Sequence, residues 1–304
     1  MSTDTGPLDD AAIVSPEQGA GSLVLTLDVI TAVVDDPRAF GQIAAANALS
    51  DVYAMGGEPQ VALSFVGIPD AVALDVLELV LLGVTEKCHE AGCAIVGGHS
   101  IRDAEPKAGL AVVGSVDPAQ AWTHKRALAG QSLLLTKALG TGVIAQAARS
   151  DQASAESIAL ATSSMARLNR SGKRAGVAHG ATAATDVTGF GLLAHLHHIV
   201  AASGLEARLD VASIPLLEGA LAAARAGHVP GGSKKNLRYV DSHLVGADRL
   251  SAELLTVLAD AQTSGGLLLC LPADRAASAA AEIGDGACVI GELVSGAAGR
   301  VTLI

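Results

Sequence analysis

An apolar run, LVLTL, gives out on Asp28, and the alanine-rich stretch that follows carries Asn47 and Asp51 four residues apart before it ends at Gly56-Gly57. Residues at i and i+4 share a helix face, so these two side chains can serve one ligand. Asp28 is expected at the carboxyl end of a strand, the edge at which open α/β sheets bind ligands. The strand-then-helix unit constrains the fold because it recurs. VALSFVGIP precedes a helix over residues 70–91, and ATAATDVTGFG precedes the helical GLLAHLHHIVAAS. Strands and helices alternate too evenly for an all-α or all-β chain, which leaves α/β or α+β.

In the first half, DDAAIVS and SLVLTLDV read as strands separated by the turn-forming EQGAG, with a helix over residues 38–55. Asp70 is expected to N-cap the next helix, and Ala91-Gly92 to end it. CAIVGGHS reads as a buried strand running into a glycine turn, and AGLAVVGSV as a further strand. A break near residues 117–130 holds the only Trp and the first basic cluster. It divides the chain into an N-terminal domain over residues 1–117 and a second α/β domain over residues 118–304. In the second, SLLLTKALGTG is strand, loop and helix start, and residues 140–178 are mainly helical. VPGGSKKNLR reads as a basic loop, residues 252–258 as a short helix, and LLLCLP, ACVIGEL and RVTLI as the closing strands.

Half of the residues are apolar but only 2% are aromatic, so the core is built from small aliphatic side chains. A formal charge of −11 repels a phosphodiester backbone and argues against nucleic acid as a partner. The four cysteines show no CxxC spacing and read as reduced thiols of a cytoplasmic protein, with Cys270 and Cys288 as small buried hydrophobes. MSTDTGPLDD has neither a basic nor an apolar signal region, and charge interrupts every long apolar stretch. No membrane span is implied.

An acidic chain that binds phosphate needs cations. Mg²⁺ prefers oxygen ligands, keeps part of its water, and is held by a few carboxylates together with substrate phosphates. Asp10, Asp28, Asp51 and Asp186, each at the edge of an element, suit that role, although any one of them alone reads more readily as a cap or turn residue. The glycine loops GGHS, GTG, TGFG and SGG follow apolar runs and can turn backbone N–H groups toward phosphate. None is a P-loop, and none is GxGxxG after a strand, so each taken singly is an ordinary turn. His195 and His198 lie one helical turn apart without HExxH, which favours a polar helix face over a metal site. Lys137 is either a phosphate contact or a solvated surface lysine.

Five blocks in order, LTLDVITAVVDDPRAFGQIAAANALSDVYAMGG, IVGGHSI, LTKALGTGV, ATDVTGFGLLAHL and AQTSGGLLL, resemble selenophosphate synthetase (selenide, water dikinase) over nearly the whole chain. That family shares a superfamily with aminoimidazole ribonucleotide synthetase, thiamine-phosphate kinase and a hydrogenase-maturation protein. The resemblance implies two α/β domains with mixed sheets, a homodimer formed through the N-terminal domains, and a nucleotide between the domains. The implied reaction takes ATP, selenide and water to selenophosphate, AMP and phosphate, with Mg²⁺. Carried over motif by motif, Asp10, Asp28, Asp51 and Asp186 are metal or phosphate-side residues, and Asp9, Asp28, Asp51, Gly97, Gly98 and His99 help to hold ATP. Family members carry a glycine-rich segment with a cysteine or selenocysteine and a lysine ahead of the DDAA block. Here no Cys precedes Cys88 and no Lys precedes Lys87, so the chain as written is expected to bind Mg-ATP and turn it over poorly. Two other readings stay open: a non-catalytic nucleotide-binding paralogue with a scaffold or regulatory role, and a different superfamily member yielding ADP.

Overall fold

The computed structural model describes residues 2–3, 5–6, 8–15, 21–284 and 286–304. Two compact units form: Met1–Ala121 with Met165–Arg170, and Trp122–Ser164 with Ser171–Ile304. The expected EQGAG turn falls mostly on residues 16–20, which lie outside the described residues.

The first unit contains β1 (Ser2–Thr3), β2 (Ala12–Ser15), β3 (Ser22–Thr31), α1 (Pro37–Ala54), β4 (Glu58–Ile68), α2 (Leu74–Ala91), β5 (Ala94–Arg102) and β6 (Lys107–Val116). The sheet order is β1-β2-β3-β6-β4-β5, antiparallel except where β5 runs parallel to β4. Strand β3 shows the two-residue period of a pleated strand. Val24 packs with Leu49 and Val52 of α1 in the core, whereas Leu23, Leu25 and Leu27 emerge on the opposite face, Leu27 at 69% exposure. Helix α1 begins where Asp36 accepts from the Ala39 N–H at 2.8 Å and Pro37 supplies the first helical residue. It packs on α2 at backbone contact, since a Cβ at Gly41 would strike the Val80 carbonyl and one at Gly83 the Arg38 carbonyl. The segment 165–170 belongs here because Leu168 joins the core and Asn169 Nδ2 donates to Ser50 Oγ at 2.8 Å.

Two expectations for this unit change. Asp70 does not cap α2; the N-cap is Ala73, without a side-chain bond, and Asp70 pairs with Arg102 at 3.1 Å. GGHS is not a turn but the middle of β5, paired with β4 from Val61 to Ile68. Gly98 is there because the strands approach too closely for a side chain: a Cβ would strike the backbone and hydroxyl oxygens of Ser64.

The second unit runs β7 (Gln131–Leu135), α3 (Thr141–Ala148), α4 (Ala155–Ala166), α5 (Arg170–Ala178), β8 (Ala183–Asp186), α6 (Gly191–Ser203), β9 (Glu206–Leu209), α7 (Ala220–Arg225), α8 (Gly231–Val240), β10 (Leu244–Val245), α9 (Ala252–Leu258), β11 (Leu267–Pro272), α10 (Ala273–Ile283), β12 (Cys288–Val294) and β13 (Val301–Leu303). The sheet order is β10-β13-β9-β12-β7-β11-β8. Strand β11 is antiparallel to both neighbours, so its start lies beside the ends of β7 and β8. The basic stretch GGSKKNLR is helix rather than loop: Pro230 precedes it, and its buried Ser233 and Asn236 anchor it. Helix α10 was not foreseen between the closing strands, although Ala276, Ala279 and Ile283 recur at helical spacing and are its buried face.

Candidate functional site

Strand β3 and helix α1 meet in matched steps. Two residues along a strand and four along a helix each advance about 6–7 Å, so a pair on one element can face a pair on the other. Asn47 Nδ2 donates to Asp28 Oδ2, and Thr26 Oγ1 donates to Asp51 Oδ2. The four side chains form a polar patch between Val24 and Ile30, which pack against the same helix. Burial pushes the Asp28 carboxyl above the usual carboxylate range, opposed by hydrogen bonds from the Val29 backbone and Asn47. Asp28 sits within β3, three residues before its end, rather than at the strand terminus.

All donors in this patch are oxygens or an amide, the chemistry of a hard cation. Among the described residues no group of three or more His, Cys, Asp or Glu side chains forms a metal cage. With two carboxylates the patch is no closed structural site, and a hard cation there would need water or phosphate oxygens to complete its shell. Asp9 accepts from the Gly6 N–H at 2.7 Å in the turn before β2, and Asp10 follows it there. Gly97, Gly98 and His99 lie on the edge strand β5, separated from β3 by β4 and β6, about 14 Å away at ordinary strand spacing. The β3–α1 contact thus places Asp28 and Asp51 in one polar patch, and the strand order leaves the GGHS block apart from it. Thr26 was missed from sequence, although its place two residues before Asp28 puts it on the same strand face.

In the second unit the motifs LTKALGTG, TDVTGFG and AQTSGG meet at one sheet edge, because β7 and β8 end where β11 begins. Asp186 is the last residue of β8, opposite Leu267, and is 1% exposed. The GTG amides are turned inward, not toward an open phosphate site. Gly142 and Val143 N–H donate to Asp260 Oδ2 at 2.9 and 3.1 Å, and Gly140 and Thr141 N–H to Gln262 Oε1 at 2.9 and 3.0 Å. Asp260 and Gln262 thereby serve the amides at the start of α3 that have no partner within the helix. Helix α8 ties this node to the Asp186 loop: Ser233 Oγ donates to Asp260 Oδ1 at 2.8 Å, and Asn236 Nδ2 to the carbonyls of Gly189 and Ala259 at 2.8 and 3.2 Å. Burial raises Asp260 to about 6 against the pull of these donors.

Lys137 is no surface lysine. It is 1% exposed, and its Nζ donates to the Ser264 carbonyl at 2.9 Å. The α6 histidines do not form a solvated face either: His195, His197 and His198 are 5%, 8% and 5% exposed. His197 Nδ1 donates to the Gly299 carbonyl at 2.7 Å and its ring stacks on His243 at 4.0 Å. Burial lowers His195 to about 3 and His198 to about 4, helped by neighbouring imidazoles. They replace polar solvation with hydrogen bonds and ring contacts, which helical spacing alone did not reveal.

Comparison with known proteins agrees with this architecture. The N-terminal domain model of AIR synthase related proteins matches residues 8–116, and the C-terminal domain model residues 129–304. A selenide, water dikinase of Myxococcus xanthus (strain DK1622) is 44% identical over 96% of this chain and 84% of its own length. One from Caldanaerobacter subterraneus subsp. tengcongensis is 44% identical over 88% of this chain and 77% of its own. Among solved structures, thiamine-monophosphate kinase from Stenotrophomonas maltophilia K279a has a TM-score of 0.72 at 23% identity, covering 99% of this chain and 90% of that one. The hydrogenase maturation protein HypE in complex with ATP has a TM-score of 0.67 at 20% identity, covering 97% and 84%. These structures share the fold, and the sequence relatives carry the finer assignment. The chain is a member of the selenide, water dikinase family, within the AIR synthase related proteins.

Proposed function

We propose that this protein uses ATP to convert selenide and water to selenophosphate, AMP and phosphate. The carrying observation is its 44% identity to a selenide, water dikinase over 96% of the chain. The paired Asp28–Asn47 and Asp51–Thr26 contacts support a hard-cation site in the first unit. ATP and selenide are both anionic, so phosphoryl transfer between them requires their charge to be offset. Mg²⁺, when bound, supplies that positive charge. Asp28 and Asp51 would provide the anionic oxygens that hold it and Asn47 and Thr26 would fix their orientation, while Asp10 in the first unit and, by itself, Asp186 in the second are assigned to metal or phosphate chemistry by family likeness. Asp9, Gly97, Gly98 and His99 are assigned to ATP, the last three by family likeness alone.

Incubating the full chain with Mg-ATP and selenide should yield AMP and phosphate in step with selenide consumption, read by chromatography and phosphorus NMR. ADP as the end product would instead indicate a kinase of the same superfamily. Tight ATP binding with neither product would indicate a non-catalytic paralogue.

The homodimer is assigned to the open face of the first sheet. Leu25, Leu27, Leu63 and Val96 line an apolar hollow of about 510 Å³ there, too apolar a surface to leave in water. Leu27→Glu should convert the dimer to a monomer in light scattering, and an unchanged mass would exclude that face. Among the described residues no helix is long and apolar enough to cross a membrane, and the cysteines are free thiols. The free thiols support a cytoplasmic setting.

A further inference from the structure

The proposed chemistry gives no role to the histidines of α6, yet one of them is built into the Asp186 turn. His195 lies in the second turn of that helix with its ring directed back at the loop between β8 and α6. Its Nε2 is 3.2 Å from the backbone nitrogen of Thr188. A backbone N–H can only donate, so Nε2 is the acceptor and the single proton of the neutral ring sits on Nδ1. Nδ1 lies 3.1 Å from Thr185 Oγ1, and that hydroxyl donates to the Asp186 carbonyl at 3.1 Å. The imidazole thus grips the residue before Asp186 through one nitrogen and the residue two after it through the other. Phe190 meets the ring edge-on, with centroids 5.7 Å apart.

A Cβ at Gly189 would meet nothing within 4 Å, whereas Gly191 adopts φ +72° and lies against the Ala259–Asp260 backbone, so the imidazole is the side-chain tie at the β8 end of a turn otherwise held from its far side. Its other ties are the Thr188 carbonyl, accepting from Gly191 and Gln262 N–H at 2.9 and 3.0 Å, the Val187 N–H, donating to the Gly266 carbonyl at 2.8 Å, and Asn236 Nδ2, donating to the Gly189 carbonyl at 2.8 Å. The Thr188 N–H is the group held by His195.

We propose that His195 is a positioning residue for Asp186, setting its carboxylate for metal or phosphate binding through Thr185 and Thr188 without itself touching substrate. The inference rests on the reading of Asp186 as a metal or phosphate-side residue. Outer partners of this kind change metal affinity by about 10- to 100-fold when removed.

The test is calorimetric titration of the full chain with ATP, with and without Mg²⁺, for wild type, His195→Ala, His195→Gln and Asp186→Asn. His195→Ala should weaken Mg²⁺-dependent ATP binding about tenfold and leave metal-free ATP binding within about twofold. His195→Gln should recover most of the loss, since its carbonyl can face the Thr188 N–H while its NH₂ faces Thr185. Loss in Asp186→Asn without loss in a folded His195→Ala overturns the inference alone. Retention in Asp186→Asn overturns the Asp186 reading, and the inference falls with it. A readout on wild type needs no variant: nitrogen–proton NMR correlation should show His195 as the Nδ1–H tautomer, with ring signals that move on adding Mg-ATP but not ATP alone. The Nε2–H tautomer, or signals indifferent to Mg-ATP, would contradict the proposal.

Discussion

Asp51→Asn is expected to weaken Mg²⁺-dependent ATP binding by about a hundredfold, equivalent to about 2.7 kcal/mol. Metal-free ATP binding should stay within about twofold. Asparagine keeps the volume and can still meet the Thr26 hydroxyl, so the β3–α1 contact survives while one formal negative charge is lost. That charge matters to a divalent cation more than to the fold. Two unit charges 4 Å apart interact by about 4 kcal/mol at an effective dielectric of 20, and water in the cation's shell returns part of this. Titrating ATP at several Mg²⁺ concentrations separates the effects. Equal losses with and without metal would place Asp51 outside the cation's shell.

Asp260→Ala is expected to lower the stability of the protein by about 3 kcal/mol, and Asp260→Asn by no more than about 1 kcal/mol, read by urea unfolding at pH 7. Alanine leaves the Gly142 and Val143 N–H groups, the Gln262 amide and the Ser233 hydroxyl facing a void, whereas the asparagine carbonyl can take over the backbone donors. The pH dependence has a definite sign. Burial raises the Asp260 pKa from 3.8 to about 6, so the folded state favours the protonated group. Its stabilising contribution is complete below about pH 4 and is lost as pH rises to about 6, a change of about 3 kcal/mol. Asp260→Asn cannot titrate. The stability of wild type relative to Asp260→Asn should therefore fall across that window, and a flat difference would show that Asp260 stays ionised throughout.

The contrast between these two aspartates marks what was legible in the sequence. The helix face that Asp51 shares with Asn47 was legible because the two residues are one turn apart, a local feature. Asp260 sits in a loop between a short helix and a strand, where an aspartate commonly serves as a turn residue, and its partners on α3 are about 120 positions earlier in the chain. The burial of Lys137 and of the α6 histidines was not legible for the same reason. Their burial depends on elements that close over them, such as the Ser264 loop for Lys137, which lies 127 positions away.

By itself the sequence determined the alternation of strands and helices, the family likeness, and the helix face shared by Asn47 and Asp51, because periodicity and short spacings are local properties of the chain. Only the tertiary structure decided that Thr26 and Asp28 face that helix in matching steps, that the GGHS block is strand rather than turn, and that three glycine motifs join through Asp260, Gln262 and Asn236. Those outcomes depend on strand order and close backbone approach, which arise when distant segments pack and leave no periodic trace in the residues themselves.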